Sequence, residues 1–314
     1  MIYFYGDVKK ADPITAKEQL NRFIERREPA LARIVERVTS RMGNSISYED
    51  IRNALLSGEI SEEWAEKWRI LYSEFILQEL VPVWNESMAA SVRQLVERYP
   101  TFLFDPNTQA VQDWVADRGA ALVTNVVDQQ RNAIRAMVGK AMQLDSGISV
   151  DELAKIIRPV VGLYPAQAVA NLKYYNFVRQ TAIDKYPRMS VERITERAQR
   201  AAARYASIQH RARATTIART EMAAAYNAGE FNAVQQALDK YYMGRTVKVP
   251  ISARDERVCD FCKAMDGKQF EMDEELPMPK GVRSMYDRKT CPFHPRCRCV
   301  MTYEELEPPI PFVE

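Results

Sequence analysis

The chain has 314 residues, 46% hydrophobic and 27% charged, with a formal net charge of +2. That make-up supports an ordinary buried core. No apolar run approaches the roughly 18 residues of a membrane span, which excludes a spanning helix, and the first residues lack the basic flank and apolar stretch of a secretory signal. Synthesis in the cytoplasm of the producing cell is the expectation, and the near-neutral balance gives no global signature of nucleic-acid binding.

Up to about residue 240 the pattern is helical. Asp12 before Pro13 reads as a cap and first-turn pair, and the helix ends at Gly43. Within it Leu20, Phe23, Ile24, Leu31, Ile34, Val35 and Val38 recur at three- and four-residue steps and predict one buried face. Ser47 and Asp50 have capping-box spacing before a short helix stopped by Gly58. The next helix carries Trp64, Trp68, Leu71, Phe75 and Leu80, aromatics read as core, until Pro82 should kink or divide it. A long helix is predicted from about Ala110 to Leu144 and is broken by the segment 145–149. Ser149, with Glu152 three residues on, caps the next one. The stretch from Ser190 to Gly244 exceeds the length of an ordinary globular helix, so a break is expected near Gln209 to Ala214. Gly229 inside that stretch predicts a close packing contact.

From Arg179 to Arg219 there are ten Lys or Arg against three acids. Arg193, Arg197, Arg200, Arg204, Arg211 and Arg213 are the candidates there for contact with phosphates or an acidic protein face; the alternative is a solvated polar helix face. The tail is acidic, with Glu304, Glu305, Glu307 and Glu314. At Arg245 the texture changes: residues 245–253 alternate like a strand, Gly, Pro, Cys and Asp become common, and residues 296–303 read as a second strand.

All five cysteines fall within 41 residues, at Cys259, Cys262, Cys291, Cys297 and Cys299, with His294 among them. A structural disulfide is disfavoured in a chain without a secretory signal and with an odd thiol count. A redox Cys-x-x-Cys belongs at the start of a helix in a βαβ setting, whereas Cys259-x-x-Cys262 reads as a tight turn into an extended segment. Zn2+ remains, held by two thiolates from Cys259 and Cys262 and a second group about thirty residues on. Four of Cys259, Cys262, His294, Cys297 and Cys299 are the expected ligands. Cys297 and Cys299 compete for the fourth place, because in a strand they would lie about 7 Å apart on one side. Cys291, followed by Pro292 and Pro295, is read as a bystander, and His210 as a helix-surface residue. Two histidines and no His-x-Glu favour a closed structural site over a catalytic one.

With these residues in place, Ala218-Arg219-Thr220-Glu221, Asn227-Ala228-Gly229, the run from Asp255 through Cys259 and Cys262 to Asp266-Gly267, and His294-Pro295-Arg296-Cys297-Arg298-Cys299 resemble the phage Mu F-like head morphogenesis (minor head protein) family of tailed phages. The resemblance covers about residues 145–303; Cys291 stands where the family usually has a proline. It implies a non-enzymatic minor structural protein of the virion, made in the host cytoplasm. Such a protein lies inside the head near the portal vertex in few copies and acts in procapsid assembly and DNA packaging or ejection. Its implied partners are the portal, other capsid or scaffold proteins, and packaged double-stranded DNA through the basic stretch, with no membrane. Arg219, Glu221, Asn227, Asp255, Asp266 and Gly267 are its structural motif residues. Arg219 and Glu221, two apart on a helix, cannot face each other; Arg219 is expected to pair with an acid of the cysteine module. The fold expected is mainly α, an elongated helical body followed by a small α+β zinc-stapled module. Residues 1–145 form a variable helical region, 146–244 the helical part of the Mu F-like domain, and 245–314 the cysteine-rich module with its acidic tail. The competing readings are a zinc-dependent enzyme acting on nucleic acid and a zinc-containing DNA-binding protein.

Overall fold

Ten helices and three short strands follow one another along the described part of the chain, residues 13–57, 61–143, 148–281 and 288–309 of the computed structural model. Asp12, Gly58, residues 144–147 and Glu314 lie outside the described residues. The helices are α1 (Pro13–Asn44), α2 (Tyr48–Ser57), α3 (Glu62–Phe75), α4 (Val81–Ser91), α5 (Arg93–Arg98), α6 (Gln109–Gln143), α7 (Val150–Ile157), α8 (Pro165–Lys185), α9 (Val191–Asp239) and α10 (Asp260–Met265). The strands are β1 (Thr246–Ile251), β2 (Phe270–Glu271) and β3 (Val300–Glu305). Contacts divide the chain into two compact units. The first is Met1–Ala30, Glu79–Arg118 and Thr216–Glu314; the second is Leu31–Gln78 and Gly119–Thr215. Helices α1, α6 and α9 contribute a segment to each.

In the second unit local sequence rules act as read. Ser47 and Asp50 form a reciprocal cap: Asp50 N–H donates to Ser47 Oγ at 3.0 Å and Ser47 N–H to Asp50 Oδ2 at 2.9 Å. The Ser47 bonds hold the Asp50 carboxyl below the usual range. Ser149 caps α7 by accepting from Glu152 N–H at 3.1 Å, while the Glu152 carboxylate accepts from the buried Tyr175 hydroxyl. Trp64, Trp68 and Phe75 are core residues, joined by Tyr72 rather than the half-buried Leu71. A π turn at Ile76–Leu80 separates α3 from α4. Pro82, which belongs to the first unit, sits in the first turn of α4.

Helix α9 corrects the expected break near Gln209 to Ala214, since it runs unbroken for 49 residues. Gln209 and Arg213, inside the segment where the break was expected, are buried and held. Gln209 donates to Gln167 O at 3.1 Å and accepts from Asn171 at 3.3 Å. Arg213 donates to Gln129 at 3.0 Å, with its guanidinium over the Tyr164 ring. No Gly or Pro occurs between Val191 and Ala228 to offer a stop. His210 is likewise not a surface residue: its Nε2–H donates to Pro159 O at 2.9 Å, and burial lowers its pKa.

In the first unit the strands form one antiparallel sheet in the order β2-β1-β3. Val247 faces Glu271 in one pairing; Pro250 faces Met301 in the other. Lys248 is fully buried and donates to Met272 O at 3.2 Å and Glu274 O at 2.5 Å, closing the turn after β2. One apolar core joins Phe102, Phe231, Val234, Leu276, Phe293, Met301 and Tyr303 to Cys262, Cys291, Cys297 and Cys299. The cysteine-bearing segment therefore shares a core with the last turns of α9 and with residues 92–102.

Gly229 makes the predicted close contact: a Cβ there would fall 2.5 Å from Met88 Cα. Gly139, exposed on α6, has nothing within 4 Å of a Cβ. The same substitution is therefore expected to act with opposite sign at the two sites. Gly229→Ala should lower stability by about 1–3 kcal/mol through overpacking against backbone. Gly139→Ala should raise it by about 0.5–1 kcal/mol through helix propensity. Thermal unfolding of the two variants measures both, and equal shifts would contradict the packing at Gly229.

Candidate metal centre

The cysteine site is assembled from two ends. Cys259 is the N-cap of α10, and its Sγ accepts from Cys262 N–H at 3.4 Å. This corrects the reading of Cys-x-x-Cys as a turn into an extended segment: the motif does open a helix, but between antiparallel strands rather than in a βαβ unit. A turn with Cys297 N–H bonded to His294 O at 3.0 Å supplies the other donors. Residues 297–299 precede β3, so Cys297 and Cys299 are not alternate residues of a strand. Arg296, at φ 60°, bends the chain into them.

His294 Nδ1 lies 2.8 Å from Pro295 O and must carry the proton, which leaves Nε2 as the lone-pair nitrogen of the neutral ring. That nitrogen stands 3.3 Å from Cys259 Sγ and 3.2 Å from Cys262 Sγ. Cys262 Sγ is 3.8 Å from Cys297 Sγ. Bonds of about 2.3 Å to sulfur and 2.0 Å to nitrogen place tetrahedral neighbours about 3.8 Å apart for two sulfurs and about 3.5 Å for sulfur and nitrogen. The donors form two triads that share Cys262: Cys259–Cys262–His294 and Cys262–Cys297–Cys299, each with all its atoms within 4.8 Å. These clusters could hold a metal ion. The space they and their neighbours line is only about 20 Å³, the size of one ion or water. The Cys262 and Cys299 thiols hydrogen-bond Cys297 and hold its thiol well below the ordinary value. Cys291 is buried against Cys299.

The motif residues around the cluster act as braces. Asp255 receives both guanidinium nitrogens of Arg298, at 2.5 and 2.6 Å, which ties the segment before Cys259 to the one between Cys297 and Cys299. That pair holds the Asp255 carboxyl down at about 2. Asp266 accepts from Ser252 N–H at 2.7 Å and from Arg254 Nε at 2.9 Å. Gly267, at φ 76°, donates its N–H to Pro250 O at 2.9 Å. A side chain there would meet no atom, so glycine serves the left-handed backbone and not the space.

Helix α9 turns about 100° per residue, so three consecutive motif residues meet three different elements. Arg219 pairs with Glu28 of α1, which corrects the expected partner in the cysteine module. Thr220 Oγ1 accepts from Arg296 N–H at 3.1 Å, and Thr216 Oγ1 from Arg296 Nε at 2.7 Å. Glu221 is bound bidentately by Arg118 of α6, at 2.8 and 2.9 Å, with both groups buried. Two turns beyond Thr220 on the same face, Asn227 is wholly buried and accepts from Met301 N–H of β3 at 2.7 Å. Arg118, Thr216, Thr220, Arg296 and Arg298 were missed as site residues. Thr220, Arg296 and Arg298 lay inside the quoted motifs, while Arg118, 103 residues from its partner, carried no local signal.

Of the basic candidates, Arg193, Arg197, Arg200, Arg204 and Arg211 are exposed. Their spacing keeps them within about 60° of arc along about 27 Å of helix. The buried Ile194, Ala198, Ala202 and Ala206 occupy the opposite side. None of the five arginines forms an ion pair with a described residue. Arg213 leaves the group, being 5% exposed and held inside the second unit by Gln129 and Tyr164.

A helical protein whose last third is braced around a Cys/His cluster is the class that fold and site define. The family model for phage Mu protein F-like proteins matches residues 132–302, more than half of the chain. The chain belongs to that family, which points to a structural protein of the phage head. The match begins within α6, earlier than the motif residues alone suggested. No curated protein and no solved structure gives a match. No described helix is long and apolar enough to cross a membrane.

Proposed function

We propose that the chain is a minor structural protein of a tailed-phage head, bound near the portal inside the capsid in few copies, acting in procapsid assembly and DNA packaging or ejection. One observation carries this reading: the residues through which the chain resembles its family serve as braces that join α9, the sheet and the cysteine turns into one module. Zn2+ in this reading is held by Cys259, Cys262, His294 and Cys297, with the Cys299 thiol against them, and supplies a cross-link between the two ends of the module. The cramped, thiolate-rich site favours this over a zinc-dependent enzyme, which needs an open metal position and room for substrate. The five exposed arginines of α9 are proposed to meet the phosphates of packaged double-stranded DNA, a contact made without sequence preference.

Quantitative mass spectrometry of purified heads, with and without the portal, tests the proposal. The expected result is a few copies per portal-containing head and loss of the chain from portal-free shells. Equal incorporation without the portal would sink the portal assignment. In the DNA arm, an Arg197→Ala, Arg200→Ala and Arg204→Ala variant is expected to lower the slope of log affinity against log salt by about 0.9 per arginine removed. An unchanged slope removes the stripe from the DNA interface.

A further inference from the structure

The first unit carries an open groove of about 550 Å³ between α1 and the α4–α5 segment. That volume lies in the range of small-molecule sites and far exceeds one inorganic phosphate. Arg22, Arg26 and Arg27 come from the α1 wall at helical spacing, and Arg93 from the opposite wall beside Ala89 and Ala90, whose small side chains leave that wall recessed. Phe23 and Tyr226 line the same groove, with ring centroids 6.1 Å apart. Every lining residue except Tyr226 lies outside the family-matched segment.

The charge of the lining is one-sided, four arginines against the single Glu86. Arg27 pairs with Glu86, and Arg22 with Glu18 on its own helix at 2.8 Å. Arg26 and Arg93 are exposed and form no ion pair with a described residue, so their forks are free to take an anion from the two walls. Glu230, one helical turn from Tyr226, does not offset them, since burial pushes its carboxyl up to about 8 and keeps it mostly uncharged at neutral pH. Planar guanidinium forks match phosphate oxygens in pairs, and an aromatic surface beside them suits a flat ring.

We propose that this groove binds an organic phosphate of the nucleotide class, with the phosphates held by Arg26 and Arg93 and the ring lying along Phe23. The site is separate from the arginine stripe of α9 and from the cysteine cluster. Calorimetric titration of the full chain with ATP, pyrophosphate and adenosine at low salt tests it. ATP is expected to bind at one saturable site, at least tenfold tighter than pyrophosphate, with no binding of adenosine. The double variant Arg26→Ala, Arg93→Ala, whose side chains are exposed and whose fold is checked by circular dichroism, is expected to weaken ATP at least tenfold. The stripe variant Arg197→Ala, Arg200→Ala, Arg204→Ala is expected to leave it unchanged. Absence of saturable ATP binding, undiminished binding in the Arg26/Arg93 variant, pyrophosphate as tight as ATP, or equal loss in the stripe variant would each overturn the proposal.

Discussion

Glu221→Ala is expected to destabilise the chain by about 3–5 kcal/mol, out of proportion to the removal of one side chain. Arg118 and Glu221 face each other with two charge-assisted bonds and almost no exposure. Removing the carboxylate leaves the buried guanidinium without its counter-charge, and the desolvation cost of that charge dominates the loss. Arg118→Ala should cost a similar amount for the mirror-image reason. The double replacement Arg118→Met, Glu221→Leu leaves no buried charge and should recover most of the stability. Chemical denaturation of the single and double variants gives the cycle. Additive losses, or a single-variant loss below about 1 kcal/mol, would show that the pair is not desolvated as the structure has it.

The second large effect is expected at Cys262, the thiol common to both donor triads. If the module holds zinc, Cys262→Ser should abolish stoichiometric zinc retention and lower stability by at least about 3–5 kcal/mol. Small modules whose whole fold depends on the metal show apparent binding energies of about 10–16 kcal/mol. The shared core of Phe293, Leu276 and Met301 with α9 supports part of this module without metal, so the loss here is smaller. Cys297→Ser should lose the metal as Cys262→Ser does, whereas Cys299→Ser and Cys291→Ser should keep it, because the 3.8 Å between the Cys262 and Cys297 sulfurs matches a tetrahedral edge. Elemental analysis of the purified variants, with unfolding before and after chelation, reads all four. A wild-type chain without zinc under reducing conditions, with unfolding insensitive to chelator, would remove the metal from the account.

The legible parts of the fold were those in which the physics is local. The Ser47–Asp50 cap, the Ser149 cap, the division at Pro82 and the tight contact at Gly229 all follow from a residue and its near neighbours. The Cys259-x-x-Cys262 and His294 to Cys299 groups were legible as a constellation because they are confined to 41 residues, although the helix that Cys259 caps was not. Other features depend on neighbours distant in sequence. The break near Gln209 to Ala214 was expected from length alone, and nothing local reveals that Gln167, Asn171 and Gln129 bond Gln209 and Arg213 within one continuous helix. Arg219 was assigned the wrong partner for the same reason: the motif shows which residues leave the helix, and only the packed structure shows that the faces 100° apart meet α1, the His294 turn and α6.

Asn227 has a consequence for how copies of this protein can meet. The sheet has two outer strands. One, β2, is only two residues long, too short to template another chain. The other, β3, is buried at nearly every residue, and its Met301 N–H is already bound by the Asn227 side chain. An uncovered strand of that length would invite the equivalent strand of a neighbour to extend the sheet. Such pairing between copies would lead to uncontrolled aggregation. Among the described residues neither margin offers an open strand, and association is expected to proceed through helix surfaces and charged side chains, contacts that can be weak, reversible and limited in number.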